Sequence, residues 1–404
     1  MDNDSPPEIA LKRSLNLPLM LFYGLGTVLG AGIYALIGAI ADAAGMAAIW
    51  SFIFAAPVAL VTAATYAELS MRLPFSGGAA VYTEEAFGSR ILTVTVGFAV
   101  ILTGVVSAAT LTRGFAGYLP VLVEAPAPLA MALLIAVMAV IAAWGIQESV
   151  MAVAIVTGIE IGGLLLVLAL AGDALATFPE RWSEMLPGNA SFSGMTAAIV
   201  LAFYAFIGFE DMVNVAEEVK DPRRTMPVAI LLTLVIATLL YVLVALTAML
   251  ALPLETLAGH PAPLAAILQQ HGPAYGSVIS LISIVAVVNG ALVQIIMAAR
   301  ILYGLGKQYS WLSRLARLHP ARRTPVLATV LVAACVLGFA LWLPLAQLAT
   351  LTSLILLLVF TLMHVALIRI KSLDPGERVL CPVWLPWLGL LLCAGLLAAR
   401  CAGS

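Results

Sequence analysis

The sequence predicts an all-α polytopic membrane protein, and three observations carry that prediction. Of the 404 residues, 63% are hydrophobic and only 10% are charged, and the mean hydropathy is +1.10. A soluble domain carries nearer ~25% charged residues. Apolar runs of about 18 residues or more, each long enough to cross a bilayer, recur along the whole chain. Finally, the basic residues sort to one side. With the N-terminus cytoplasmic, Lys12, Arg13, Arg72, Arg90, Lys220, Arg223 and Arg224 fall inside. So do Arg300, Lys307, Arg314, Arg317, Arg322, Arg323, Arg369, Lys371 and Arg378, leaving only Arg113, Arg181 and Arg400 outside. Such a bias is the signature of a cytoplasmic N-terminus; with eleven spans it puts the C-terminus outside.

The first span, 16–40, follows a polar Met1–Leu15, so no cleavable signal peptide is expected. It contains "GLGTVLGAGIY", with Gly24, Gly26, Gly30 and Gly32 close together. The second, 47–72, ends at Arg72, and the third, 90–119, begins at Arg90. Between them lies "RLPFSGGAAVYTEEAFGSR", a cytoplasmic loop with turn residues beside aromatic and basic ones. The fourth and fifth spans are 127–144 and 149–172, and the fifth holds a single ionisable residue, Glu160. The sixth, 194–216, runs through an aromatic stretch to Gly208, Glu210 and Asp211. The seventh is 226–252. After it, 253–274 carries Pro253, Pro261, Pro263 and Pro273 and reads as an outer cap with a short surface helix near 262–270, its His260 and His271 solvated. The eighth span, 275–305, leads into the basic loop "GKQYSWLSRLARLHPARRTP" (306–325), and the last three are 325–342, 346–370 and 383–401.

Cys335, Cys381, Cys393 and Cys401 show no metal or disulfide spacing and read as small core residues. The four histidines are equally dispersed, so no nucleophile–base pair or metal cluster converges within the spans. A membrane enzyme is therefore not expected, nor a metal, a cofactor or a nucleic-acid partner.

The first and sixth spans share an anomaly: each is interrupted by glycine and polar residues near mid-membrane. Gly in a helix interior costs roughly 0.5–1 kcal/mol relative to Ala, and two acids in mid-span cost several kcal/mol unless they face protein or water. For the first span, Gly26-x-x-x-Gly30 fits a small-residue packing face; the alternative is a discontinuous helix whose freed backbone groups line a cavity. A nucleotide-binding loop is excluded, since no strand precedes the glycines and no P-loop Lys follows. In the sixth span Glu210 either ties neighbouring helices together or holds a broken helix open, and Asp211 lies near enough the aqueous side to be solvated. A paired break of this kind points to two inverted repeats with a site between the broken helices.

Four stretches resemble the amino acid–polyamine–organocation transporter family. They are "GTVLGAGIY", "YAELSMRLPFSGGAAVYTEEAFG", "FYAFIGFEDMVNVAEEVKDPRRTMP", and "AARILYGLGKQ" followed by "HPARRTP". The resemblance covers roughly residues 12–370, with Ala80 as a minor departure in the loop pattern and eleven spans where many members have twelve. It implies a single domain with a LeuT-type five-plus-five inverted-repeat core, 16–172 and 194–370, discontinuous helices 1 and 6, and a peripheral helix at 383–401. It further implies a secondary active transporter of amino acids or related amines at the cell membrane, working by alternating access.

Carried onto this chain, the resemblance implies that N–H groups of Ala31 and Gly32, with Gly30, hold a substrate carboxylate. Carbonyls of Val28, Ala205 and Ile207 would hold the ammonium. Tyr204 would close over the substrate as a gate, with Phe206 and Phe209 nearby. A zwitterion entering a low-dielectric site needs donors at one end and acceptors at the other, and backbone supplies both. Further polar candidates for the pocket are Ser107, Thr110, Asn289, Thr352 and Ser353; His364 reads as a packed neutral histidine. Some proton-coupled members have a Lys near the position of Glu160, so Glu160 is either a proton carrier or a brace bonded to the helix-one backbone. Sodium coupling through Ser280 or Ser283, ion-free exchange, and a non-transporting nutrient sensor stay open. With no fixed acid clearly facing the pocket, a small or medium neutral amino acid is the expected substrate.

Overall fold

The computed structural model describes residues 14–75, 77–145, 150–320, 322–374 and 380–403. Among these the regular structure is helical, and the only β feature is an isolated bridge between Leu15 and Val219. The chain enters α1 (Leu17–Leu29) through Asn16, whose side chain accepts from the Leu19 N–H at 3.1 Å, with Pro18 in the first turn. It breaks at Gly30 and resumes as α2 (Ala31–Ala44). A short 3-10 turn, Gly45–Ala47, leads to α3 (Ala48–Arg72). Next come α4 (Gly78–Phe87), α5 (Arg90–Tyr118), α6 (Ala127–Trp144), α7 (Val150–Ala171), the one-turn α8 (Phe178–Arg181) and α9 (Phe192–Phe206). A 3-10 segment, Phe209–Glu218, continues α9 after a second break. The remainder is α10 (Pro222–Ala251), α11 (Leu254–Leu257), α12 (Pro263–Gln269), α13 (Pro273–Gln308), α14 (Val326–Trp342), α15 (Leu345–Leu373) and α16 (Trp384–Ala402).

Among the described residues nine stretches are long and apolar enough to cross a membrane. The first, Leu17–Arg72, contains α1, α2 and α3 together, and the 17-residue α14 is a further apolar helix. Large apolar side chains point outward along this bundle, Leu133 and Val140 on α6, Leu239 on α10 and Val330 on α14 among them. That pattern suits lipid and not water.

Several expectations are corrected. The 72–90 loop is largely helix α4. The cap helix α12 is not a surface helix, because Leu264, Ala265, Ile267 and Leu268 are fully buried; its apolar run packs inward against α13. His260 is half-buried, its Nδ1 accepting from the Ala262 N–H at 3.0 Å, and burial lowers its pKa from the usual imidazole value. Cys335 and Cys401 lie exposed, so only Cys381 and Cys393 are core residues.

Two apolar cores form. The larger gathers α1, α2, α3, α9 and α10 with much of α15; the smaller joins α5, α6 and α14 with the second half of α13. One end of the larger core is fastened by buried charges. The Glu68 carboxylate meets Arg72 and Lys371, each at 2.9 Å, and accepts the Cys381 N–H at 2.8 Å. Paired and fully bonded in this way, a buried carboxylate ties α3, α15 and the approach to α16 without an orphan charge. His364 is equally enclosed, with Thr62 Oγ1 3.2 Å from Nε2 and Thr65 Oγ1 2.9 Å from Nδ1.

Candidate functional site

The break in helix six is built by backbone conformation. α9 ends at Phe206, Ile207 is extended, and Gly208 adopts φ 124°, a region that favours glycine. A Cβ on Gly208 would collide with the Thr27 carbonyl, so the glycine also permits the two broken helices to touch. The Gly208 N–H is capped by Glu210 Oε2 at 2.8 Å. Glu210 thus bonds to the amide of the glycine at its own break.

The break in helix one is different. Among the described residues no side chain caps the first turn of α2 after Gly30, so its leading N–H groups carry the positive end of a 14-residue helix. Gly32 does not face open space. A Cβ there would lie 2.5 Å from Ala205 Cα, so this glycine serves the close approach of α2 to α9. Gly26 and Gly24 are packing positions too, against Thr157 and against Met212 and Thr233 respectively.

The broken helices are joined at three levels. At the breaks, Gly208 rests on Thr27. Below, the Ser14 and Leu15 N–H groups donate to the Glu218 carbonyl at 2.9 and 3.0 Å, and Lys220 N–H returns to Leu15 O at 2.7 Å. Beside the breaks, Tyr241 Oη on α10 donates to both the Val28 and Ala205 carbonyls, at 2.5 and 2.8 Å. Two of the three carbonyls expected to meet an ammonium are therefore engaged by a tyrosine in this conformation.

A cavity enclosing about 610 Å³, mouth included, runs from the first turn of α4 to the helix-six break. Ile207, Glu210, Asp211, Asn214, Ser107 and Thr352 are on its wall. At its head Tyr204 Oη lies 2.9 Å from Ser107 Oγ, bridging α9 to α5. A smaller cavity of about 370 Å³ lies between α1 and α13, lined by Tyr23, Thr27, Asn289 and Gln294, and Asp211 borders both. Asp211 is not solvated; it is 4% exposed and accepts from Gln294 Nε2 at 3.0 Å. With Glu210 and Asp211 both on the wall, the ground for disfavouring a cationic substrate falls away.

Phe206 and Phe209 are buried away from the cavities: Phe206 packs edge-on to Tyr241, and Phe209 on Tyr66 and Phe360. Thr110 bonds back to its own helix at Val106 O, and Ser353 ties α15 to the Val200 carbonyl of α9. The Ser280 and Ser283 hydroxyls likewise donate to Gly276 O and Ile279 O of their own helix. Glu160 is fully buried, and neither carboxyl oxygen has a hydrogen-bond partner among the described residues. The Asn289 amide bears on it from α13 without reaching hydrogen-bonding geometry. What is bonded is its backbone, where Tyr34 Oη of α2 donates to the Glu160 carbonyl. Among the described residues the carboxyl thus makes no bond to the helix-one backbone; a different link, from the Tyr34 hydroxyl to the Glu160 main chain, joins α2 to α7.

Tyr241, Gln294 and the Leu15–Val219 clip were not anticipated. The sequence holds a signal for two of them, since a lone tyrosine in "ATLLYVLVAL" and a lone glutamine in "GALVQIIM" are polar groups in otherwise apolar runs.

A family model described as amino acid permease matches residues 15–401. The chain belongs to this amino acid permease family. It is 29% identical over 414 aligned positions to the branched-chain amino acid permease BcaP of Bacillus subtilis (strain 168), covering 96% of this chain and 88% of that one. To the human cationic amino acid transporter 4 it is 29% identical, over 91% of this chain and 61% of the relative. The methylthioribose transporter of Bacillus subtilis (strain 168) is 28% identical, with 91% and 83% covered. The chain thus spans about three-fifths of the human relative and most of the two bacterial ones. These relatives are membrane carriers, and no enzyme stands among them.

Proposed function

We propose that this permease-family chain is a secondary active transporter of amino acids or closely related amines, working by alternating access around the paired breaks. The observation that supports this most is the meeting of the two broken helices, Gly208 on Thr27, beside a cavity whose wall carries Ile207 and the Glu210 and Asp211 carboxyl groups. A carboxylate suits the start of α2, and an ammonium suits the acid-bearing wall. The core is read as a five-plus-five inverted repeat, 16–172 and 194–370, with 383–401 peripheral. With the basic loops inside, the larger cavity opens to the cytoplasm and the Tyr204–Ser107 bridge shuts the outer side. A cationic side chain is admissible alongside a neutral one, given Glu210 and Asp211 on the wall.

A thermal-shift screen of the purified protein against neutral and cationic amino acids and amines tests the site, since a binder raises the midpoint as RT ln(1 + [L]/Kd). No response from an intact fold sinks the amino acid reading. Uptake of the best binder into proteoliposomes then separates a carrier from a sensor. Coupling is assigned to Glu160, the buried carboxyl with unfilled acceptors next to Asn289. Glu160→Gln should keep the fold while abolishing the stimulation of uptake by a pH gradient; unchanged stimulation removes Glu160 from the mechanism.

A further inference from the structure

The loop after α13 carries charge that nothing in the permease site uses. Between Glu255 and Asp374 the sequence has no Asp or Glu, yet Lys307 ends α13 and Arg314, Arg317, Arg322 and Arg323 follow in one short connection. All five are exposed. Among the described residues none of them forms an ion pair.

The connection is also built as a surface. Its first part is a 3-10 segment, Ser310–Ala316, in which residues three apart eclipse. Trp311 and Arg314 consequently align on one exposed edge, with Arg317 exposed just past the end of the segment, while Leu312 and Leu315 turn inward to the core of α5, α6 and α13. Trp311 is 70% exposed and stacks on Phe98 of α5 at 6.2 Å. Arg322 sits over the Trp144 ring at the end of α6, 4.4 Å from its centroid, and Trp144 is itself 60% exposed. Arg90 at the start of α5 lies 4.6 Å over Tyr309. Beneath this rim the helix faces expose Leu102, Val137 and Val140.

We propose that this surface is a binding site for an anionic phospholipid, its phosphate among Arg314, Arg317, Arg322 and Arg323 and its acyl chains along α5 and α6. Charge complementarity selects an anionic headgroup. Exposed tryptophans flanking apolar helix faces place the site at the headgroup level, where an indole keeps one side apolar and one wet. A free phosphate in water would satisfy the arginines but leave both indoles and the apolar faces uncovered. The Leu312 and Leu315 contacts make the site continuous with the base of α13, the helix that carries Asn289 and Gln294.

The test uses the full chain in mild detergent and needs no substrate, so its outcome is independent of the transport reading. Phosphatidylglycerol, phosphatidylcholine and inorganic phosphate are added separately and the unfolding midpoint is followed. Phosphatidylglycerol should raise it by several degrees, the other two should not, and salt of roughly 0.5 M should erase the rise. In R314Q/R317Q/R322Q/R323Q the midpoint in phosphatidylcholine should stay and the phosphatidylglycerol shift should vanish. If that variant fails to fold, R314Q/R317Q and R322Q/R323Q are compared, each expected to lose part of the shift. Trp311→Ala should weaken it with all charges kept. Equal shifts with both lipids, a shift reproduced by inorganic phosphate, or a full shift in the charge-neutralised variants overturns the proposal.

Discussion

The two helix breaks look alike in sequence and are built on different principles. The sixth-helix break is closed upon itself: Gly208 takes a conformation that suits glycine, and Glu210 fills its N–H. At the first-helix break, among the described residues, no side chain caps the amides of α2 after Gly30. One break is thus bonded internally, and the other, at its glycine N-cap, has no side-chain cap. The difference suggests a division of labour in which helix one reads the anionic end of a substrate while helix six supplies a fixed frame with acids on its wall.

That contrast is open to attack by substitution, beginning where the largest effect is expected. Gly208→Ala forces a left-handed backbone onto an L side chain, about 1–3 kcal/mol by itself, and drives a Cβ into the Thr27 carbonyl. Loss of folded protein on size exclusion is expected, and normal yield with normal uptake would mean that the break is pliable and not a frame. Tyr241→Phe leaves the Val28 and Ala205 carbonyls without their shared donor, for a loss of about 1–3 kcal/mol in thermal unfolding. Should stability hold while substrate affinity rises, the tyrosine competes with the ammonium for those carbonyls.

Glu210→Ala should cost about 0.5–2 kcal/mol, the range for a lost helix cap, whereas Glu210→Gln, which retains an acceptor, should unfold close to wild type. Equal losses in the two would show that charge, and not capping, is what Glu210 contributes. Among the substitutions expected to destabilise, the smallest loss is that of Tyr204→Phe, about 0.5–1.5 kcal/mol for one hydrogen bond to Ser107. Its readout is accessibility: a cysteine-reactive probe applied from the outer side to a cysteine placed at Ile207 should react faster once the bridge is gone.

Helix positions were legible because lipid demands long apolar runs with internally bonded backbone. Both breaks were legible because glycine and acid in mid-span are costly unless the helix opens there onto protein or water. The purpose of individual glycines was not. Gly32 was expected only to leave its N–H bare, and the structure adds a packing reason, since the space for its Cβ is taken by Ala205; only the neighbour reveals it. Tyr241 and the Leu15–Val219 clip escaped notice for a related reason. Their partners are main-chain carbonyls and amides, which every residue possesses, so even where a lone tyrosine stands out no side-chain pattern names what it bonds. Asp211 was misplaced because its fate depends on Gln294, 83 positions away.

The two apolar cores have a mechanical consequence. The larger cavity lies where they meet, with Ile207 and Glu210 on one flank and Ser107 and Gln294 on the other. Each core is densely packed and resists deformation, so strain is relieved along the boundary between them, as a split log parts along its grain. A molecule that touches both flanks becomes a wedge or a glue depending on which alignment it fits. To reverse such a balance from 1:99 to 99:1 it must prefer one alignment by about 5.5 kcal/mol. Cargo gripped at both ends would then itself turn the machine that carries it.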